Sequence, residues 1–165
     1  MTLQFLDLKK ENEAILNNTI DWIKTLTLEL DFEDGKTFPT FVQQNLKLKY
    51  PCGVFILFDT ELKEVIGTAS LVPDDQNVVK EKELDGIWVA GVNIKREYRS
   101  KGYGKIIFRE IDNYLSKHGQ KPLRVNLFVN NLIALKLYEK FGFKQINQKV
   151  IRHEQEYTIC SKFYE

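Results

Sequence analysis

Ile87-Trp88-Val89-Ala90-Gly91-Val92-Asn93-Ile94, followed by Lys95-Arg96-Glu97-Tyr98-Arg99-Ser100-Lys101-Gly102-Tyr103-Gly104-Lys105, is the stretch that decides the reading of this chain. Its first part is a β-rich run, and alternation predicts Trp88, Ala90, Val92 and Ile94 on one face. Gly91 inside the run marks a bulge or a close backbone approach. Its second part holds Gly102 and Gly104 just ahead of an apolar stripe, Ile107, Phe108, Ile111, Tyr114 and Leu115, whose spacing predicts an amphipathic helix over Gly104–Lys117. His118-Gly119 closes that helix, and Leu123, Val125, Leu127 and Val129 alternate in the strand that follows. Strand, helix, strand requires a parallel pair joined by a right-handed crossover.

Outward from this unit the pattern continues. Upstream, Thr2–Leu6 reads as a short strand, and Lys9 to Leu26 as a helix on Leu16, Ile20, Ile23 and Leu26. Asp31–Lys36 breaks it, and a short helix follows Pro39 with Phe41, Val42 and Leu46. Val54–Phe58 and Glu64–Val72 form an antiparallel hairpin across Asp59–Lys63, ended by Pro73-Asp74-Asp75, and Lys80–Asp85 reads as a solvated loop. Downstream, Asn130 or Asn131 caps a helix carrying Ala134, Leu137, Tyr138 and Phe141, and Gly142 closes it. Phe143–Val150 and Glu156–Phe163 are the last two strands. The fold class is α/β (α+β): one domain over 1–165, with a mixed, twisted central sheet of about six to seven strands flanked by about four helices.

Composition agrees with one globular domain. The chain has 165 residues, 43% hydrophobic and 28% charged, and a net charge of +1, which argues against a nucleic-acid footprint. Cys52 and Cys160 lie far apart with no neighbouring histidine, so neither a disulfide framework nor a metal site is expected. Reduced thiols, no apolar run of spanning length and no signal-like leader place the chain in the cytoplasm, away from membranes.

A glycine-rich turn that opens a helix favours an anion, best a phosphate, through main-chain N–H groups and the helix dipole. The dinucleotide fingerprint fails because Ile107 stands where its third glycine belongs. The phosphate loop of nucleotidases fails at Arg99 and Ile106.

Arg99-x-x-Gly102-x-Gly104 after Val92-x-Ile94 resembles the acyl-CoA loop of the GNAT superfamily of N-acetyltransferases. Asn131-x-x-Ala134-x-x-Leu137-Tyr138-x-x-x-Gly142-Phe143 resembles a later motif of the same superfamily. Arg96 and Ser100 depart from it, since many members carry proline and glycine there. The resemblance implies an acetyl-CoA-dependent N-acetyltransferase acting by direct attack in a ternary complex on a primary amine of a small molecule or peptide. It implies that the strands ending at Ile94 and Val129 splay apart around pantetheine. Main-chain groups of Val92 and Ile94 would pair with that arm, and the amides of Ser100, Lys101, Gly102, Tyr103, Gly104 and Lys105 would hold the pyrophosphate. Arg99, Lys101 and Lys105 would add positive charge, and Asn131 would touch the cofactor. Tyr138 would protonate the leaving thiolate, and a backbone N–H near Ile94 would serve the oxyanion. Asp74, Glu83, Asp85, His153 and Glu154 are candidate bases, and Trp88 a candidate wall of the acceptor pocket or a core residue. Acetyl-CoA and an amine are the expected partners, with no metal, and the protein is a monomer or a homodimer through an edge strand at the C-terminus. A non-catalytic acyl-CoA-binding or sensory module of the same fold is the alternative.

Overall fold

Gly53–Asp59 (β2) and Glu64–Pro73 (β3) are buried along nearly their whole length, the pattern of central strands covered on both faces. Asp59 closes the hairpin between them, its Oδ1 accepting from the amides of Glu61 and Leu62 at 2.9 and 3.1 Å. These strands come from a computed structural model of the chain, which describes residues 3–11, 13–26, 46–47, 51–73, 86–118, 123–152 and 155–165. The other strands are Leu3–Asp7 (β1), Ile87–Ile94 (β4), Leu123–Val129 (β5), Lys144–Arg152 (β6) and Gln155–Tyr164 (β7). They form one seven-stranded sheet in the order β1-β2-β3-β4-β5-β7-β6. Every neighbouring pair is antiparallel except β4 with β5, which is the parallel pair expected of the strand–helix–strand unit.

Among the described residues there are three α-helices: Glu13–Leu26 (α1), Tyr103–His118 (α2) and Leu132–Lys140 (α3). The short helix expected after Pro39 lies outside the described residues, as do the turn at Asp31–Lys36 and the stretch Lys80–Asp85. The first helix starts at Glu13 rather than Lys9, because Leu8–Lys10 turns as a 3-10 helix that buries Leu8. The stripe of α2 buries Ile107, Phe108, Ile111 and Leu115 against Phe55, Leu57, Leu71, Val89 and Leu127, and α3 packs Ala134, Leu137 and Tyr138 on the same cluster. On the opposite face α1 sets Ile23 against Leu8, Val54, Ile56 and Val65.

Two expectations are corrected. The C-terminal strand β7 is interior, between β5 and β6, so the edges of the sheet are β1 and β6. The hydrogen-bonding groups of β7 are taken on both sides, which removes it as a pairing edge. Nor do Trp88, Ala90, Val92 and Ile94 share a face. Thr68 pairs with Asn93 and Ser70 with Ala90, so Gly91 and Val92 together oppose Ala69. That is a β-bulge, with Gly91 at φ 57°, and it inverts the alternation. Trp88 and Ala90 join a third cluster with Val72, Phe128 and Ile159 on the α1 face, whereas Val92 and Ile94 pack with α2.

Candidate functional site

The parallel pairing of β4 with β5 lasts only from Ile87–Val125 to Val89–Leu127. Beyond it the strands part, and a cleft of about 240 Å³ opens through the sheet. The bulge explains the parting, because an extra residue bends its strand and breaks the ladder locally. The carbonyl of Gly91 is held at the bend by Thr68 Oγ1 and Asn93 Nδ2, each at 3.1 Å. Val89, Val92, Phe108, Leu127 and Tyr138 line the cleft toward α2 and α3; Val72, Trp88, Ala90 and Phe128 line it toward α1.

One end of β4 leads into the glycine turn. Ser100 and Gly102 take φ of 61° and 87°, left-handed conformations that glycine adopts freely and serine at a cost of about 1 kcal/mol. A Cβ built on Gly102 would meet nothing within 4 Å, so open space lies over the turn. Lys105 and Ile106 direct their amides at the Gly102 carbonyl, at 3.0 and 3.3 Å, which starts α2. Of the six amides expected to face a diphosphate, that of Lys105 is thereby engaged within the turn. Arg99, Ser100, Lys101 and Lys105 are exposed. Arg99 Nε donates to the Ile94 carbonyl at 3.0 Å, so this arginine ties the turn to the end of β4. Lys101 sits 5.7 Å over the ring of Tyr98.

A brace with no local sequence signal stiffens this turn. Glu64, at the start of β3, accepts from Lys95 Nζ at 2.6 Å and from Tyr98 Oη at 2.8 Å. Lys95 precedes and Tyr98 ends the 3-10 turn Arg96–Tyr98 that leads into the loop, and the Tyr98 ring meets Tyr103, the first residue of α2, edge-on at 5.8 Å. The bonds from Lys95 and Tyr98 hold the Glu64 carboxyl below its usual range, and the same bond pushes the Tyr98 phenol up to about 12.

Tyr138 lies on α3, half-buried, with its ring 4.6 Å from that of Phe108. Burial pushes its phenol up to about 12, with a further push from the nearby Cys160 thiol. The group is therefore a neutral donor across the physiological range. Asn131 caps α3, its side chain accepting from the amide of Ala134 at 2.8 Å. Its role as a helix cap is settled by that bond, and it is not among the residues lining the cleft. The site thus brings together Val92, Tyr138 and Trp88; Ile94 pairs with Gly67 and, like Arg99, Lys101 and Lys105, is not among the residues lining the cleft. Of the candidate bases, Asp74, Glu83, Asp85, His153 and Glu154 all lie outside the described residues. Among the described residues no cluster of metal-ligating side chains occurs, and Tyr138 is the one titratable group lining the cleft. Phe128 and Val72 have no motif to betray them and are recognised as walls only from the sheet register, whereas Phe108 belongs to the apolar stripe of α2.

The family model described as "Acetyltransferase (GNAT) family" matches residues 19–143. This chain belongs to the GNAT acetyltransferase family. Among curated relatives, an uncharacterised N-acetyltransferase of Bacillus subtilis is 26% identical over 100 residues, 59% of this chain and 36% of that protein. A spermine/spermidine N(1)-acetyltransferase of the same species is 30% identical over 59 residues, 35% of this chain and 39% of its own length. The matched region thus spans well under half the length of these relatives. A GNAT acetyltransferase structure from Streptococcus pneumoniae superposes with a TM-score of 0.70 at 16% identity, covering 99% of this chain and 100% of the other. That of Arabidopsis thaliana NAA60 in complex with acetyl-CoA gives 0.63 at 18%, covering 98% of each. The shared GNAT fold therefore extends over essentially the whole chain. Among the described residues, no helix is long and apolar enough to cross a membrane.

Proposed function

We propose that this GNAT protein transfers the acetyl group of acetyl-CoA to a primary amine by direct attack in a ternary complex. The observation that carries the reading is the splay of β4 from β5, which opens, beside the strand that runs on into the glycine turn, a cleft through the sheet with Tyr138 in its wall. The chemistry suits those parts. Main-chain groups of Val92 and Ile94 pair with the pantetheine amides as an added strand would. The diphosphate lies over Ser100–Gly104, where an added Cβ on Gly102 would meet nothing and the helix start favours negative charge. Lys101 and Lys105 contribute long-range attraction, and Arg99 keeps the turn in place.

In the reaction the amine nitrogen donates its lone pair to the thioester carbon, forming the C–N bond while the carbonyl electrons move to oxygen. A main-chain N–H near Ile94 stabilises that oxyanion. The C–S bond then breaks, and the departing sulfur takes the proton of Tyr138 Oη. The phenol is restored, through water, by the proton that the nitrogen gives up. Burial pushes the Tyr138 phenol up to about 12 and the nearby Cys160 thiol up to about 11, the latter with a further push from Glu139.

Titration calorimetry with CoA should show binding at tens of micromolar or tighter, and acetyl-CoA with an amine panel should release free thiol. No binding would end the reading; binding without turnover on a broad panel would leave the non-catalytic CoA module. The brace provides a second check. Glu64→Gln should raise KM for acetyl-CoA about 3- to 10-fold with kcat within twofold, since it loosens a binding turn that takes no part in bond breaking. A loss confined to kcat would show that Glu64 acts elsewhere.

A further inference from the structure

Strand β3 meets the bulge of β4 through two small residues, Gly67 and Thr68. A Cβ built on Gly67 would lie 2.6 Å from the carbonyl oxygen of Asn93 and 2.7 Å from Ile94 Cδ1, so the strands approach there at a distance that only glycine allows. Lys95 then donates its amide to the Ile66 carbonyl at 2.9 Å, which ties the far side of the bulge. Between these ties and the Ser70–Ala90 pair, Gly91 and Val92 have no residue-for-residue partner on β3, and the pairing with β5 ends at Val89. The carbonyl of Gly91 takes two side-chain donors instead. Thr68 Oγ1 reaches it across the strands and Asn93 Nδ2 from its own strand, each at 3.1 Å. A carbonyl oxygen has two lone pairs, and here both are occupied from within the protein. Thr68 is 1% exposed, so water does not compete for its hydroxyl. Neither Thr68 nor Asn93 is among the residues lining the cleft, so whatever they do for the site they do through the main chain.

We propose that Thr68 and Asn93 are positioning residues: by filling the Gly91 carbonyl they hold β4 in its bulged form. They thereby fix the main chain from Val92 to Ile94, which the acetyl-CoA reading sets against pantetheine and the oxyanion. The inference rests on that reading and deepens it. The physical argument is a competition between two registers. Without the two donors, the Gly91 carbonyl finds its nearest partner by rejoining a ladder, with β3 or by extending the β4–β5 pairing beyond Val89, and either change narrows the splay. With both lone pairs filled, that carbonyl gains nothing from the ladder, and the bulge stands whether or not a ligand is bound. Preorganisation follows, because a donor already in place needs no reorientation when charge develops on the thioester oxygen. The two side chains share one acceptor, so each partly substitutes for the other when one is lost.

Thr68→Val keeps the side chain's shape and deletes its donor; Asn93→Ala deletes the second. Each single variant should lower kcat about fivefold, the effect of one hydrogen bond, with CoA affinity by calorimetry within about threefold because the glycine turn is untouched. Together they should lower kcat about 100-fold, beyond the roughly 25-fold product of independent effects, since no side-chain donor then remains. Thr68→Ser restores the hydroxyl and should return kcat to within about twofold of the parent. A readout independent of turnover runs beside these. Hydrogen exchange at the amides of Val92, Asn93 and Ile94 should quicken about tenfold or more in the double variant and stay unchanged along β2. A hydroxyl that only supports the fold predicts the reverse: a lower melting temperature, exchange raised evenly through the sheet and an unaltered kcat. That pattern, a double variant no slower than the product of the singles, or a Thr68→Ser protein as slow as Thr68→Val would each overturn the proposal and leave the acetyl-CoA reading standing. Should the double variant fail to fold, kcat and exchange of Thr68→Val against Thr68→Ser decide the matter alone. No thiol release by the parent protein with any amine would instead remove the reading beneath, and the positioning role with it.

Discussion

Tyr138→Phe should lower kcat about 100-fold, the low end of what a positioned acid contributes, while acetyl-CoA affinity stays within about twofold. The substitution deletes one oxygen and keeps the ring that packs on Phe108, so helix α3 has no reason to move. A purely structural tyrosine predicts the reverse pattern, an unchanged kcat with a small loss of stability. Steady-state thiol release with acetyl-CoA as the varied substrate separates the two, since it yields kcat and KM in one experiment.

The pH profile gives the same assignment a second face. Burial pushes the Tyr138 phenol up to about 12, so the protonated, proton-donating form persists at every pH below that value and is lost as pH rises through it. The activity of the parent protein should rise with pH as the acceptor amine loses its proton, with no fall in kcat before at least about pH 10. A fall in kcat centred near 10 would mean a phenol with an ordinary, solvated pKa, in conflict with its place beside Phe108 in the cleft wall.

The strand–loop–helix–strand unit is legible from residues alone because its signals are local. Gly102 and Gly104 stand where the backbone turns, and Ile107, Phe108, Ile111 and Leu115 define one buried face of α2. Gly91 likewise marks the bulge, but its consequence is not local. One extra residue inverts the side-chain alternation, and only the pairing of β4 with β3 reveals that Trp88 and Val92 face opposite sides. The brace on the turn is invisible in sequence for a different reason: Glu64 and Tyr98 are 34 positions apart, and neither stands in a motif. Ser100 is a partial case. A serine where the resemblance expects glycine raises a question about the loop, and its φ of 61° answers that the left-handed turn is kept regardless.

Two glycine substitutions separate the framework from the site, and the larger effect belongs to Gly86→Ala. Gly86 has φ 128°, and a Cβ there would lie 2.4 Å from the carbonyl oxygen of Arg124. That oxygen cannot retreat, because β5 is hydrogen-bonded to β4 on one side and to β7 on the other. Backbone strain and a clash with main chain together should cost about 3–5 kcal/mol, a large part of the stability of an ordinary domain. At about 2–4 °C per kcal/mol for a domain of this size, the melting temperature should fall by roughly 6–20 °C. The strain acts where the parallel pairing begins, at Ile87 and Val125, so the loss should appear in unfolding whether or not a ligand is present. Gly102→Ala provides the contrast. Its φ of 87° is also left-handed, but nothing stands within 4 Å of the added methyl, so stability should fall by only about 1 kcal/mol. That methyl would occupy the space assigned to the diphosphate, and CoA affinity should drop about tenfold or more, as a buried phosphate contact is pried apart. Calorimetry with CoA and a thermal melt on both variants decide between the assignments: a Gly102→Ala protein that binds CoA as tightly as the parent places the diphosphate somewhere other than this turn.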